Sequence, residues 1–234
     1  MKRIILMFLR NFFYAPVMLV KLSYYSHHRD KYSEEFLYSF LQSITFHALK
    51  GGKVTVNTQG AENIPADSNF IFYPNHQGFF DVLAIIAGCN APFSVVYKKE
   101  VKNIPFLKDV FKCLNALPID REDVRQSLTV INTMAEEVKN GRNFLIFAEG
   151  TRSRQPNQLL DFKGGSFKGA YKAKCPVVPV ALIDTYKPFD IGDIKPVTVT
   201  IKYLPPIPYE EYCSLKTTEL AALVKEKIQD AIDA

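Results

Sequence analysis

The chain has 234 residues, 47% of them hydrophobic and 23% charged, with 18 Phe, 12 Tyr and no Trp. That length and apolar content suit one α/β domain with a helical appendage, and exclude both a disordered chain and two full-sized domains. The net charge of +5 permits attraction to anionic membranes or phosphorylated substrates, but without a basic cluster beside exposed aromatics no nucleic-acid partner is expected.

Residues 1–31 differ from everything after them. Apolar runs over 4–9 and 12–20 are interrupted by Arg10 and Asn11, and Lys2, Arg3, Arg10, Lys21, Arg29 and Lys31 outnumber the single acid Asp30. A spanning helix needs about 20 mostly apolar residues, which this segment reaches only with Arg10 in its interior. A signal peptide would also begin with basic and then apolar residues, yet no small-x-small cleavage site precedes Tyr24. The composition predicts an interfacial or shallowly inserted helix with Tyr14, Tyr24 and Tyr25 at headgroup level; the alternative is a helix that covers the core. Deleting the segment is expected to release the protein from membranes and leave the α/β domain folded. Ser33-Glu34-Glu35 opens a second helix to about residue 49, with Phe36, Leu37, Phe40, Leu41 and Ile44 as its apolar stripe, and Gly51-Gly52 are expected to end it. The expected division is a two-helix membrane-associating segment over residues 1–50 and an α/β domain over 51–234.

Alternation over 53–57 predicts a first strand, and Phe70-Ile71-Phe72-Tyr73 a second. Pro74 stops the second because it cannot donate to a ladder, and Asn75 and Gly78 are expected in turn conformations that most residues resist. The turn Asn75-His76-Gln77-Gly78-Phe79-Phe80-Asp81 leads into the helical pattern of 82–86. On an ideal helix, at about 100° per residue, His76 and Asp81 would point apart. They meet only if His76 lies in the turn and Asp81 on the first helical turn. That is the geometry of a general base held by a carboxylate. Taken alone, the spacing equally describes a hydrogen-bonded turn histidine and an aspartate that complements a helix N-terminus.

A strand over 93–97 ends in Lys98-Lys99-Glu100, followed by Ile104-Pro105-Phe106-Leu107, a short helix to Cys113, and Ile119-Asp120-Arg121. Lys98, Lys99 and Arg121 at strand ends on the sheet edge of His76 suit a phosphate site, although such residues are usually only solvated. Residues 122–139 carry Val124, Leu128, Ile131, Ala135 and Val138 at helical spacing, which predicts a core-facing helix. An apolar strand over 143–147 delivers Ala148-Glu149-Gly150-Thr151-Arg152-Ser153 at its carboxyl end, where open α/β sheets bind ligands. Gly150 admits close backbone approach, Thr151 offers a hydroxyl and an amide, and Arg152 supplies a planar fork for phosphate. Strands over 176–182 and 197–203 and an amphipathic helix over 217–234, with Leu220, Val224, Ile228 and Ile232 on one face, complete the predicted α/β fold, a mixed sheet flanked by helices. Cys89, Cys113, Cys175 and Cys213 form no C-x-x-C pair and read as small apolar residues in a reducing compartment.

Together these blocks resemble the glycerolphosphate acyltransferase family over roughly residues 53–209. His76 to Asp81 is similar to the first signature, the lysine pair with Ile-Pro-Phe and Ile-Asp-Arg to the second, Glu149-Gly150-Thr151-Arg152-Ser153 to the third, and Pro176-Val177-Val178-Pro179-Val180 to the fourth. Lys108 and Asn115 stand where family members usually carry Gly, and Ala148 where they carry Pro. Asn is the next-best residue for a left-handed backbone, whereas Lys108 bears on acceptor preference.

The resemblance implies an O-acyltransferase of phospholipid biosynthesis. It would move an acyl group from acyl-CoA or acyl-carrier protein to the sn-2 hydroxyl of lysophosphatidic acid, giving phosphatidic acid. It further implies His76 as general base oriented by Asp81, direct transfer without an acyl-enzyme, and no metal or other cofactor. The implied acceptor site comprises Lys98, Lys99, Arg121, Glu149, Gly150, Thr151 and Arg152. There Glu149 would orient Arg152 or accept a hydrogen bond from glycerol. Pro179 is implied on the acyl-donor side, and the protein is expected at the cytoplasmic face of a membrane. The shared signatures leave glycerol 3-phosphate, another lysophospholipid or a lyso-aminolipid open as acceptors. A catalytically silent lipid-binding module conflicts with intact His76, Asp81, Glu149 and Arg152. A metal-dependent hydrolase would need more ligands, and the other three His lie in the N-terminal segment.

Overall fold

Seven strands form one mixed sheet in the computed structural model, which describes residues 2–234. In chain order they are β1 (Val54–Gln59), β2 (Ile71–Pro74), β3 (Phe93–Lys98), β4 (Leu117–Ile119), β5 (Asn143–Leu145), β6 (Val177–Ile183) and β7 (Val197–Tyr203). Across the sheet the order is β1-β7-β6-β2-β5-β3-β4, and every neighbouring pair is parallel except β6 and β7. β2 is thus the central strand, with β5 and β6 on either side running the same way. The loops leaving all three emerge at one edge of the sheet.

Helices α1 (Lys2–Arg10), α2 (Tyr14–His27) and α3 (Glu34–Gly52) precede β1. Between strands lie α4 (Asp81–Gly88), α5 (Leu107–Cys113), α6 (Val124–Lys139), α7 (Lys168–Ala173) and α8 (Lys187–Asp190), and α9 (Tyr209–Tyr212) and α10 (Thr217–Asp233) close the chain. The two faces of the sheet follow from strand alternation. Phe70 and Phe72 pack with Leu37 and Leu41 of α3 and Ala84 and Ile85 of α4. Ile71 and Tyr73 pack on the other side with Ile131 and Met134 of α6 and Leu220, Val224 and Ile228 of α10. Both faces of β2 are therefore buried, which is why its sequence is an unbroken apolar run.

The N-terminal segment covers the core on one side and leaves apolar side chains exposed on the other. Arg3 and Met7 are buried, and Met7 and Leu22 join the core cluster of the sheet. Ile5, Phe8, Leu9, Phe12, Phe13, Val17 and Val20 are exposed. Among the described residues no single helix is long and apolar enough to cross a membrane, and α1 and α2 meet at 97°.

Gly51 and Gly52 do not end α3 but form its last turn, and the helix closes at Lys53 in the left-handed conformation, φ 55°. Their role is close approach. A Cβ on Gly51 would lie 2.3 Å from Asn11 Nδ2, and one on Gly52 2.4 Å from Met7 Cε. A division of the chain between residues 50 and 51 therefore falls inside α3, where α1 packs against it.

Two further expectations differ. Val124 is 80% and Leu128 43% exposed, because the first turns of α6 run beside β4, the edge strand, and the buried face begins at Val130. The strand read over 143–147 pairs as a strand only to Leu145, since the chain turns where Phe147 O accepts the Gly150 N–H at 3.1 Å. Asn115 does adopt a left-handed backbone, φ 50°.

Candidate active site

Pro74 ends β2 without an N–H for the neighbouring ladder, and the side chain of Asn75 continues the pairing in its place. Its Oδ1 accepts the Leu182 N–H at 2.7 Å and its Nδ2 donates to Leu182 O at 3.0 Å. The turn is thereby docked on the end of β6. Neither Asn75 nor Gly78 has positive φ, contrary to the sequence expectation. Gly78 instead gives room, since a Cβ there would lie a tight 3.3 Å from Tyr186 Cα.

The docked turn places His76 Nδ1 2.7 Å from Asp81 Oδ2. The same oxygen accepts the Gln77 N–H at 2.7 Å and the Gly78 N–H at 3.0 Å. Asp81 is fully buried and opens α4, where the helix dipole favours a carboxylate. Three donors on one oxygen fix its orientation. One face of the imidazole is covered by Phe147, with centroids 3.9 Å apart, and the His76 side chain retains 16% exposure.

The third block is stitched to this turn through main chain. Glu149 is buried, with Oε1 accepting the His76 N–H at 2.6 Å and Oε2 the Leu160 N–H at 3.0 Å. Ser153 N donates to His76 O at 2.8 Å. Glu149 thus braces the loops rather than pairing with Arg152. Burial pushes its pKa up to about 7, against the opposing pull of the two amide bonds. The Arg152 guanidinium lies 4.2 Å from the centre of the Phe79 ring, a cation–π contact that joins the first and third blocks. Gly150 has φ +73°, and the end of the Lys163 side chain lies over it. Thr151 is exposed beside them.

Lys98, Lys99 and Arg121 share the carboxyl edge of the sheet but stand at the ends of β3 and β4, two and three strands from β2. Lys98 is ion-paired with Glu100 at 3.2 Å, and Lys99 with Asp120. Pro179 is buried within β6 opposite Tyr73, three residues before the Leu182 at which the His76 turn docks.

Sequence reasoning missed Phe147, whose only signal was an aromatic residue at the strand end just before the third block. It also missed a brace behind the turn. Gln77 Nε2 donates to Asn157 Oδ1 at 2.8 Å, and Asn157 and Asp184 bond each other through side chains at 3.1 Å and through the Asp184 N–H at 2.9 Å. Asn157 and Asp184 have φ of 56° and 64°. Asn and Asp are the side chains that tolerate that conformation best, which is the one clue their identity offered.

A mixed α/β sheet with a carboxylate-oriented histidine at the carboxyl end of its central strand, and an arginine loop beside it, defines an enzyme site suited to general-base chemistry on an anionic substrate. The family model described as Acyltransferase matches residues 55–183, more than half of the chain. The chain belongs to the acyltransferase family and is an acyltransferase enzyme. It is 31% identical over 175 residues to the 1-acyl-sn-glycerol-3-phosphate acyltransferase of Salmonella typhimurium, covering 71% of each chain. It is 30% identical over 165 residues to the protein of the same name from Escherichia coli, covering 70% of this chain and 67% of that one. The crystal structure of the 1-acyl-sn-glycerophosphate acyltransferase PlsC from Thermotoga maritima superposes with a TM-score of 0.81 at 27% identity, covering 99% of this chain and 95% of that one.

Proposed function

We propose that the protein transfers a fatty acyl group from an acyl thioester to the sn-2 hydroxyl of 1-acylglycerol 3-phosphate, forming phosphatidic acid for phospholipid biosynthesis. The observation that carries this reading is the 2.7 Å contact between His76 Nδ1 and the buried Asp81 carboxylate. Nδ1–H donates to the carboxylate, which leaves Nε2 to take the hydroxyl proton as the oxygen attacks the thioester carbonyl. The imidazolium so formed lies against Asp81 and beneath the π face of Phe147. Collapse of the tetrahedral intermediate breaks the C–S bond. A thiol with a pKa of about 8.5 departs readily, and His76 returns the proton to it.

The acceptor is assigned from the relatives, whose names specify 1-acylglycerol 3-phosphate, and from Arg152, whose fork suits a phosphate monoester. Lys98 and Lys99 join that site by exchanging Glu100 and Asp120 for the phosphate, and Arg121 joins beside them. The donor is acyl-CoA or acyl-carrier protein. The exposed apolar side chains of α1 and α2 suit an interfacial anchor at the cytoplasmic face of a membrane.

The test is a panel of purified full-length protein against lysophosphatidic acid, glycerol 3-phosphate and lysophosphatidylcholine, each with palmitoyl-CoA and palmitoyl-acyl-carrier protein. Lysophosphatidic acid should give the highest kcat/KM. His76→Ala and Asp81→Asn should each lose roughly a hundredfold or more in kcat, and the double variant should be scarcely worse than His76→Ala, because members of one catalytic unit are not additive. Full additivity, or a preference for another acceptor, would overturn the corresponding part of the reading.

A further inference from the structure

Arg3, in the first turn of α1, is 2% exposed. Its guanidinium directs one N–H from each nitrogen at a different segment: Nη1 to Gly52 O at 2.6 Å, Nε to Pro188 O at 3.0 Å and Nη2 to Asp193 Oδ1 at 2.9 Å. Gly52 is the last residue of α3, and Pro188 belongs to the four-residue α8. Both carbonyls are therefore helix-end acceptors without partners in their own helices, and a cation is favoured at such ends. An apolar side chain at this position would leave them buried and unpaired.

The segment carrying α8 is in turn the back wall of the catalytic turn. Tyr186 Cα and Asp190 Oδ2 would lie 3.3 and 3.5 Å from a Cβ on Gly78. Phe189 meets Phe80 edge-on, with centroids 5.3 Å apart and planes at 88°. Thr185 Oγ1 donates to Gln77 Oε1 at 3.3 Å. Gln77 and Gly78 supply the N–H groups that hold Asp81 Oδ2, and Phe80 immediately precedes Asp81. Any shift of α8 thus reaches, through Gln77, Gly78 and Phe80, the carboxylate that orients His76.

We propose that Arg3 is a positioning residue for acyl transfer: by clamping α8 to the ends of α1 and α3, it sets the Gln77-Gly78 turn and with it the angle at which Asp81 presents His76. This rests on the general-base reading of His76. It makes α1, whose outward residues are Ile5, Phe8 and Leu9, part of the catalytic framework as well as a surface element.

The full-length protein is assayed with 1-oleoyl lysophosphatidic acid and whichever of palmitoyl-CoA and palmitoyl-acyl-carrier protein the wild type uses. The series comprises wild type, Arg3→Met, Arg3→Lys, His76→Ala and Ile228→Ala, with the thermal midpoint of each. Ile228 is buried in α10 on the other face of the sheet and serves as the stability control. Arg3→Met should lose about tenfold or more in kcat while KM for lysophosphatidic acid stays within about threefold. Arg3→Lys keeps the charge but cannot reach three acceptors at once, and should recover part of the loss. Ile228→Ala should lower the midpoint and leave kcat within about twofold of wild type. Wild-type kcat in Arg3→Met, or an equal kcat loss in Ile228→Ala, would reduce Arg3 to a fold lock and overturn the proposal. If Arg3→Met is too unstable to purify, Arg3→Lys decides: lowered kcat at constant KM supports the role, and wild-type kcat refutes it. An active His76→Ala would remove the general-base assignment on which the proposal stands. An inactive His76→Ala beside a fully active Arg3→Met would overturn the Arg3 role alone.

Discussion

Phe147 lies over the imidazole of His76, centroids 3.9 Å apart and planes 23° from parallel. The ring comes from just beyond the end of β5, the strand beside β2, and is itself only 8% exposed. It restricts the imidazole to the plane in which Nδ1 meets Asp81, and its π face complements the imidazolium of the proposed mechanism.

Phe147→Leu retains most of the apolar volume and removes the flat face. Losing an aromatic contact worth about 1 kcal/mol predicts a fall in kcat of roughly fivefold, with KM for both substrates little changed. Steady-state kinetics check this. A wild-type kcat in the leucine variant would mean that the ring serves packing alone.

Glu149 is expected to make stability depend on pH. Its pKa is raised by burial from an ordinary 4.5 to about 7, so between those values the folded state binds a proton that the unfolded state has released. A carboxyl shifted upward favours the fold when protonated. Its contribution is fully present below about pH 4.5 and is lost as pH rises through about 7. Thermal midpoints of wild type should therefore fall more steeply across this window than those of Glu149→Gln, which cannot titrate. At the acidic end of the window the glutamine variant should be less stable by about 1 to 3 kcal/mol, because its amide turns an N–H toward one of the two backbone donors, and the gap should narrow as pH rises. Parallel pH profiles for the two proteins would refute the assignment.

Arg152 should distinguish acceptors. Charge-assisted bonds to phosphate are worth about 1.5 to 3 kcal/mol each, so Arg152→Ala should cost roughly one to two decades in kcat/KM with lysophosphatidic acid. The loss should be small with monoacylglycerol, which lacks the phosphate. Arg152→Lys should also be impaired, since an ammonium reproduces neither the bidentate fork nor the stacking on Phe79. Equal proportional losses on both acceptors would show that Arg152 supports the loop instead.

Membrane attachment should depend on Phe12 and Phe13, which are 65% and 89% exposed at the bend between α1 and α2. Replacing both by Ser removes apolar surface without opening the core. Co-sedimentation with phosphatidylglycerol-containing vesicles should drop by about tenfold or more, with the thermal midpoint within a few degrees of wild type. Unchanged sedimentation would move the anchor elsewhere. Deleting residues 1–31 is a harsher change, because it also removes the buried Arg3, Met7 and Leu22.

The linear order of residues determined much of this protein. The strands read from alternation and apolar runs pair in the sheet, and α4, α6 and α10 occupy the segments with helical spacing. His76 and Asp81 were legible as a pair because only five positions separate them and a strand–turn–helix pattern constrains how they can meet. Asn115 was legible because backbone handedness restricts residue type at the position itself. These are short-range properties, and short-range sterics and hydrogen bonding act on them directly.

What the tertiary structure decided are relations across long stretches of chain. The strand order puts β2 between β5 and β6, and so brings Phe147 and Glu149 to His76 and the end of β6 to Asn75. Glycines at 51 and 52 looked like a helix stop, yet they exist to admit Asn11 and Met7. Glu149 was legible only as a residue of the third block, and the fold adds the two backbone amides that hold it. Arg3 looked like one charge of a basic fringe, and it is buried among acceptors 49, 185 and 190 residues away. No local pattern encodes such contacts, because each partner acquires its role only when the fold removes water from between them and buried donors and acceptors must be met from within the chain.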